Sequence, residues 1–103
     1  MFLADVVGTV VSPVQHPVLE GQRLLLLRPI DPEGRARGIV RVAVDKSGAG
    51  EGDRVLAVDE GNAARQLLGA PDGPVKTVVV GVVDYVALGN ELVFDARSGA
   101  PVD

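Results

Sequence analysis

Every strand-length apolar run in this chain is short, rich in valine or leucine, and cut within a few residues by glycine or proline. β-Branched side chains fit a pleated surface better than a helix, and the cuts fall where turns need them. The pattern therefore confines the chain to small all-β architecture. Residues 2–11 carry Leu3, Val6, Val7, Val10 and Val11 and read as a first strand, with a bulge or close approach at Gly8. Pro13 and Pro17 make residues 12–21 a loop. Residues 23–28 form a second strand, whose unbroken Leu24-Leu25-Leu26-Leu27 run points to burial on both faces. Asp31-Pro32-Glu33-Gly34 puts Pro and Gly at the second and fourth turn positions, which predicts a hairpin returning through a half-buried strand at 38–45.

Beyond the glycine-rich segment 46–53, residues 54–58 restore the apolar pattern as a fourth strand. Residues 61–69 give the one helical segment, about two turns long, with Asn62 at its N-cap and Gly69 at its C-cap. A helix this short is stable only when docked, here through Leu67 and Leu68. A turn at 71–74 leads into the strongest strand candidate, 75–86; a turn at 88–91 then leads to a last strand, 92–95, and a loose tail from Ser98. The expected fold class is all-β: a small OB-like antiparallel β-barrel of five or six strands with one short helix.

At 103 residues the chain is one domain with a single small core, too small for a deep cleft. The absence of cysteine excludes disulfides, zinc–thiolate sites, iron–sulfur clusters and thiol nucleophiles. A net charge of −4 disfavours nucleic acid, whose binding rests on neutralising phosphates. A barrel that binds single strands also needs stacking aromatics, and only Phe2, Tyr85 and Phe94 are present, two of them beside core-type residues. The longest strongly apolar stretch, 78–83, falls far short of the roughly 20 residues of a membrane span, and Met1-Phe2-Leu3-Ala4-Asp5 lacks a positive leader. A soluble, unexported protein without nucleic-acid or membrane partners is expected.

The loop Gly48-Ala49-Gly50-Glu51-Gly52 follows a strand, as phosphate cradles do, but has no Gly-Lys-Ser/Thr ending and no following helix. Glu51 and Asp53 would also repel a phosphate, so a tight turn or a close subunit contact accounts for it better. His16, the single histidine, has no nucleophile near it in sequence and reads as a surface or interface residue. Asp45 and Asp84 adjoin apolar runs, where carboxylates cap turns or pair with arginines such as Arg41 and Arg65. An enzyme built on His16 with Asp84 or Asp45 would need those groups to converge in a pocket. An OB-like module for a small ligand or single-stranded nucleic acid is the other alternative.

The order of several fragments is more specific than any one of them. Gly8-Thr9-Val10-Val11 is followed by His16-Pro17-Val18-Leu19-Glu20-Gly21 and the leucine run, then by Val42-Ala43-Val44-Asp45 and Ser47-Gly48-Ala49-Gly50-Glu51-Gly52-Asp53. Gly61-Asn62-Ala63-Ala64-Arg65 and Gly81-Val82-Val83-Asp84 complete the series. In this order and spacing the chain resembles the EutN/CcmL family, the pentameric vertex proteins of bacterial microcompartment and carboxysome shells. The resemblance implies a vertex domain over residues 1–96 with a C-terminal tail at 97–103, no enzymatic activity and no cofactor. It also implies a cytoplasmic shell location, a cyclic homopentamer, and hexameric shell proteins as neighbours, because a sheet of hexagons closes only with five-fold corners. Ser47, Gly48, Ala49 and Gly50 are then expected at or near the five-fold axis, where small residues allow close approach. Glu51, Arg65, Asp45 and Asp84 are candidates for polar contacts within or between subunits. The chain departs from the family pattern at Pro13-Val14-Gln15, at Lys76, and at Asn62-Ala63 within the Gly-Ser-Ser-Ala-Arg motif.

Overall fold

The computed structural model describes residues 1–11, 22–59, 77–98 and 100–101, the side chains of 98, 100 and 101 excepted. Five strands close a barrel: β1 (Phe2–Val10), β2 (Arg23–Ile30), β3 (Arg41–Asp45), β4 (Arg54–Val58) and β5 (Val78–Val82), in the order β1-β2-β3-β5-β4. Three more, β6 (Tyr85–Leu88), β7 (Glu91–Asp95) and β8 (Ala100–Pro101), form a separate sheet, with a short 3₁₀ turn at Ala96–Ser98 between the last two. The expected all-β barrel is present. The loop at 12–21, the helix at 61–69, the turn at 71–74, His16 and Arg65 lie outside the described residues.

The sequence predicts an antiparallel barrel, and in one pair the barrel departs from that. β3 and β5 run parallel, pairing Val44 with Val78 and Asp45 with Val79. The reason is arithmetic: an odd number of strands in a closed ring cannot alternate direction all the way round, so one neighbouring pair must run parallel. Three further boundaries differ. The returning strand expected at 38–45 begins only at Arg41, where pairing with Leu27 starts. The expected 75–86 strand is split into β5 and β6: the Val83 N–H makes the last bond of the β4–β5 ladder, to the Arg54 carbonyl at 2.8 Å, the chain then bends at Asp84, and residues from Tyr85 on pair with β7 instead. The segment expected to be a loose tail contributes β8, which pairs Ala100 with Asp95 and Pro101 with Phe94.

Inward-facing residues make one core: Ala4 and Val6 of β1, Leu25 and Leu27 of β2, Ala43 of β3, Val55 and Ala57 of β4 and Val79 of β5, joined by Ala49. The expected irregularity at Gly8 is real. The β1–β2 register shifts between Val6 and Gly8, leaving Val7 as the extra residue, and a Cβ on Gly8 would stand 3.3 Å from Leu26 Cδ1. The hairpin turn is real as well: the Gly34 N–H bonds the Asp31 carbonyl at 2.9 Å, and Asp31 Oδ1 accepts the N–H groups of Glu33 (3.0 Å) and Arg35 (2.9 Å). Gly34 has φ +93°, and a Cβ there would lie 3.0 Å from Arg54 Nη2, so both backbone and packing require glycine.

Polar groups bind the parallel seam at its open end. Asp59, just after β4, pairs with Arg41 of β3 and accepts the hydroxyl of buried Thr77, just before β5, at 3.0 Å. The Arg41 guanidinium also lies over the Phe2 ring, 4.8 Å from its centroid. Asp59→Ala would leave the Thr77 hydroxyl and Arg41 without that carboxylate, so it should cost about 1–3 kcal/mol. Glu33→Ala, which removes an exposed pair with Arg35, should cost no more than about 1 kcal/mol. Urea unfolding at one fixed protein concentration measures both; equal effects would contradict the assigned role of Asp59.

The backbone bond from Arg35, supported by that from Glu33 and by the charges of Arg35 and Arg37, holds the Asp31 carboxyl below its ordinary value of 3.8. Its stabilising contribution is therefore complete above that value and is lost as pH falls below it through the folded pKa. Asp31→Asn keeps an acceptor but does not titrate. The variant should melt below wild type at neutral pH and converge with it below pH 3.8, as thermal scans at stepped pH would show.

Candidate assembly surface

Two features stand out once the barrel is built: the glycine-rich loop between β3 and β4, and the outer surface of the strands. The loop is held by the buried carboxylate of Asp45, whose Oδ1 accepts both the N–H and the hydroxyl of Ser47 at 2.9 Å. Arg23 reaches over from β2, donating to the Ala49 carbonyl at 2.9 Å and standing 3.5 Å from Asp45 Oδ2. Beyond it, Asp53 Oδ2 accepts the Gly50 N–H at 2.8 Å, and mutual backbone bonds of 2.9 Å tie Gly52 and Asp53 to Val6. The loop is thus a rigid turn with its Gly48 and Glu51 surfaces exposed.

The expected site residues separate into distinct roles. Ala49 is fully buried: its methyl joins the core and its carbonyl accepts the Arg23 bond. Gly48 has φ +79° and open space where a Cβ would be. Gly50 has no such backbone demand, and a Cβ there would meet only Asp53 Oδ2 at 4.0 Å. Asp45 is an internal cap. Asp84 is exposed at the bend between β5 and β6, not inside a strand, and lines an open cleft with Tyr85, Asp95, Ala96 and Arg97. Asp45 and Asp84 are therefore not brought together, and among the described residues no group of three or more candidate metal ligands converges. In the cleft, side-chain and backbone bonds from Arg97 hold the Asp95 carboxyl below its ordinary value, and the same pairing raises Arg97.

Strand register reveals a surface that sequence reasoning missed. Paired residues share a face, so the partners of outward Leu26 and Leu24 can be followed round the barrel. One row runs Gly8–Leu26–Val42, and the next runs Val10–Leu24–Val44–Val78–Val58. An outer barrel face normally carries polar residues, yet both rows are apolar. Val44 (3% exposed) and Val78 (0%) are already covered outside the core cluster, whereas Val42 is 51% exposed and Val10, Leu24, Leu26 and Val58 are half-buried. The leucine run was the signal. Its expected burial on both faces holds for Leu25 and Leu27 but is only partial for Leu24 and Leu26 in a single chain.

A third outward row, Arg28–Asp5–Arg54, is charged. Arg54 is buried, donates from Nε and Nη2 to Asp5 at 2.8 and 3.3 Å, and lies over the Phe94 ring of β7, 4.3 Å from its centroid. It pins the second sheet to the barrel. The residues that join, 5, 54 and 94, are too far apart in sequence to have announced the contact. With Phe2 under Arg41 and Phe94 under Arg54, Tyr85 is the one exposed aromatic ring among the described residues, and these residues form no row of rings on which bases could stack.

Comparison with known proteins gives this surface its context. The family described as ethanolamine utilisation protein EutN/carboxysome matches residues 1–84. The bacterial microcompartment shell vertex protein EutN of Escherichia coli K12 is 42% identical over 94 residues, covering 91% of this chain and 98% of the relative. The solved structure of Gloeobacter violaceus CcmL superposes with a TM-score of 0.84 at 38% identity, covering 94% of this chain and 99% of that one. GrpN from Rhodospirillum rubrum, described as a pentameric microcompartment shell protein, superposes with a TM-score of 0.76 at 35% identity, covering 85% and 99%. A full-length match at this identity, carried by the same closed barrel, places the chain in the EutN/CcmL family.

Proposed function

We propose that this chain is a structural protein that forms a cyclic homopentamer and caps the five-fold vertices of a bacterial microcompartment shell, among hexameric shell proteins. The observation that carries the reading is the pair of registered apolar rows on the outside of the barrel, with Val42 exposed and Val10, Leu24, Leu26 and Val58 only partly covered in the single subunit. A ring needs each subunit to present two different, complementary faces, and a stable contact buries at least about 1,000 Å². The named functions of the relatives supply the shell vertex as the setting, and they are structural roles, not enzymatic ones.

Within that ring the β3–β4 loop lies at or near the axis. Gly48 and Gly50 allow five copies to approach, Ala49 anchors the loop from the core and Ser47 through its capped hydroxyl, and Glu51 stays available to a neighbour. Asp84 is likewise free at the surface, and Arg65 is a further candidate from the family motif. Gly50 is the informative position. A larger side chain there has room in the single subunit, whereas at Gly48 the positive φ would strain any substitute.

Co-assembly with the hexameric shell proteins of the same host tests the proposal. Electron microscopy should show closed polyhedra with the wild-type chain, and open sheets or tubes when it is omitted or replaced by a folded Gly50→Leu variant. Closed shells in its absence would contradict the vertex role, and undisturbed closure by Gly50→Leu would remove the loop from the axis.

A further inference from the structure

The sheet β6–β7–β8 is poorly supported by its own chain. Among its described side chains only Phe94 is buried, on Arg54, while Tyr85 is 63%, Leu88 49% and Leu92 38% exposed. The β6–β7 register shifts between Val86 and Ala87, with Ala87 opposite Leu92 and Leu88 opposite Glu91 at the hairpin end. β6 is also an unpaired edge of that sheet. Small sheets with little buried area are marginal in water, and exposed apolar edges are a liability that folded proteins cover. This hairpin has such an edge and almost no core of its own.

We propose that the β6–β7 hairpin is an arm that seats on the barrel of a second copy of this chain. Its Leu88 and Glu91, which pair across the hairpin and so share one face, meet the neighbour's outer rows: Leu88 covers Leu24, Leu26 and Val42, and Glu91 faces Arg28. The inference rests on the ring reading above and assigns that ring's two faces. Three observations select a second copy as the occupant. The exposed rows and the exposed arm are both apolar and lie on different elements, which suits a head-to-tail contact closed by rotation. Arg28 continues the outward face of Leu24 and Leu26 on β2 and is exposed without a partner, while its cross-strand neighbour Asp5 is engaged by Arg54. Glu91 is exposed at the arm's tip, also without a partner, so the two charges are complementary. A copy of the same chain covers the arm from the moment of assembly, whereas a hexameric neighbour would cover it only in a finished shell.

The test reads the ring-to-monomer midpoint on dilution, by native mass spectrometry or light scattering, with circular dichroism as a check on folding. Leu88→Asp, and independently Glu91→Arg or Arg28→Glu, should raise the midpoint concentration at least about tenfold, because the first buries an unpaired charge and the others set like charges against each other at the contact. The double variant Glu91→Arg with Arg28→Glu should return the midpoint to within about threefold of wild type, which no loss of local fold would do. Midpoints unchanged in the single variants, or a double variant no better than they are, would overturn the placement of the arm while leaving the wild-type ring intact. Single variants that keep the ring but fail to join hexameric proteins would overturn it in favour of a hexamer contact. A wild-type chain that forms no ring would overturn the functional reading itself, and this proposal with it.

Discussion

A closed barrel of five strands must contain one parallel pair, and the position of that pair organises this molecule. With β1 antiparallel to both β2 and β4, the mismatch falls between β3 and β5, where the registered contact is only Val44 with Val78 and Asp45 with Val79. Parallel neighbours cannot be joined by a tight hairpin. The chain accordingly runs from β3 through the glycine loop, across β4 and through residues 59–77 before it reaches β5. The two polar clusters sit at the ends of this seam: Arg41, Asp59 and Thr77 at one, and Asp45, Ser47 and Arg23 at the other. The loop assigned to the five-fold axis is thus part of the device that closes the barrel, which explains why it is rigid and glycine-rich at once.

Closure also determines what the outside looks like. Eight strand residues and Ala49 fill the interior, and a barrel this narrow has no room for more. The remaining apolar side chains are forced outward into rows along the strands. A soluble monomer would carry polar residues there; a subunit destined for permanent neighbours need not. Arg54 extends the same logic to the second sheet. By holding Asp5 on one side and Phe94 on the other, it fixes where the hairpin leaves the barrel, while the hairpin's own exposed residues remain uncovered. Fold and assembly are therefore two stages of one burial problem.

Much of this was legible in the sequence, where local chemistry decides. The turn at Asp31–Gly34, the bulge beside Gly8 and the fourth strand at 54–58 follow from residue type and spacing alone, and appear as expected. The departures arise where partners distant in sequence decide. The strand ends at Val83 and Asp84, within an apolar run that contains no proline, because β4 offers its last ladder bond at Arg54 and β7, distant in sequence, takes over the pairing from Tyr85. Ala49 looked like a small residue suited to an axis and is instead a core residue, since the loop folds back under Arg23. The Asp5–Arg54 pair spans 49 positions and has no local signature. The family resemblance supplied what periodicity could not, namely why an acidic, cysteine-free domain with so little interior carries so much aliphatic surface.

The central claim is that the chain is incomplete as a single subunit. The most direct measurement is the native mass of the unmodified protein at micromolar concentration. The account predicts one species at five times the 10.7 kDa chain mass, persisting on dilution until the ring dissociates cooperatively. A stable monomer at that concentration would contradict it, because the exposed and half-buried side chains of the apolar rows on β1, β2 and β3 would then lack the neighbour assigned to them.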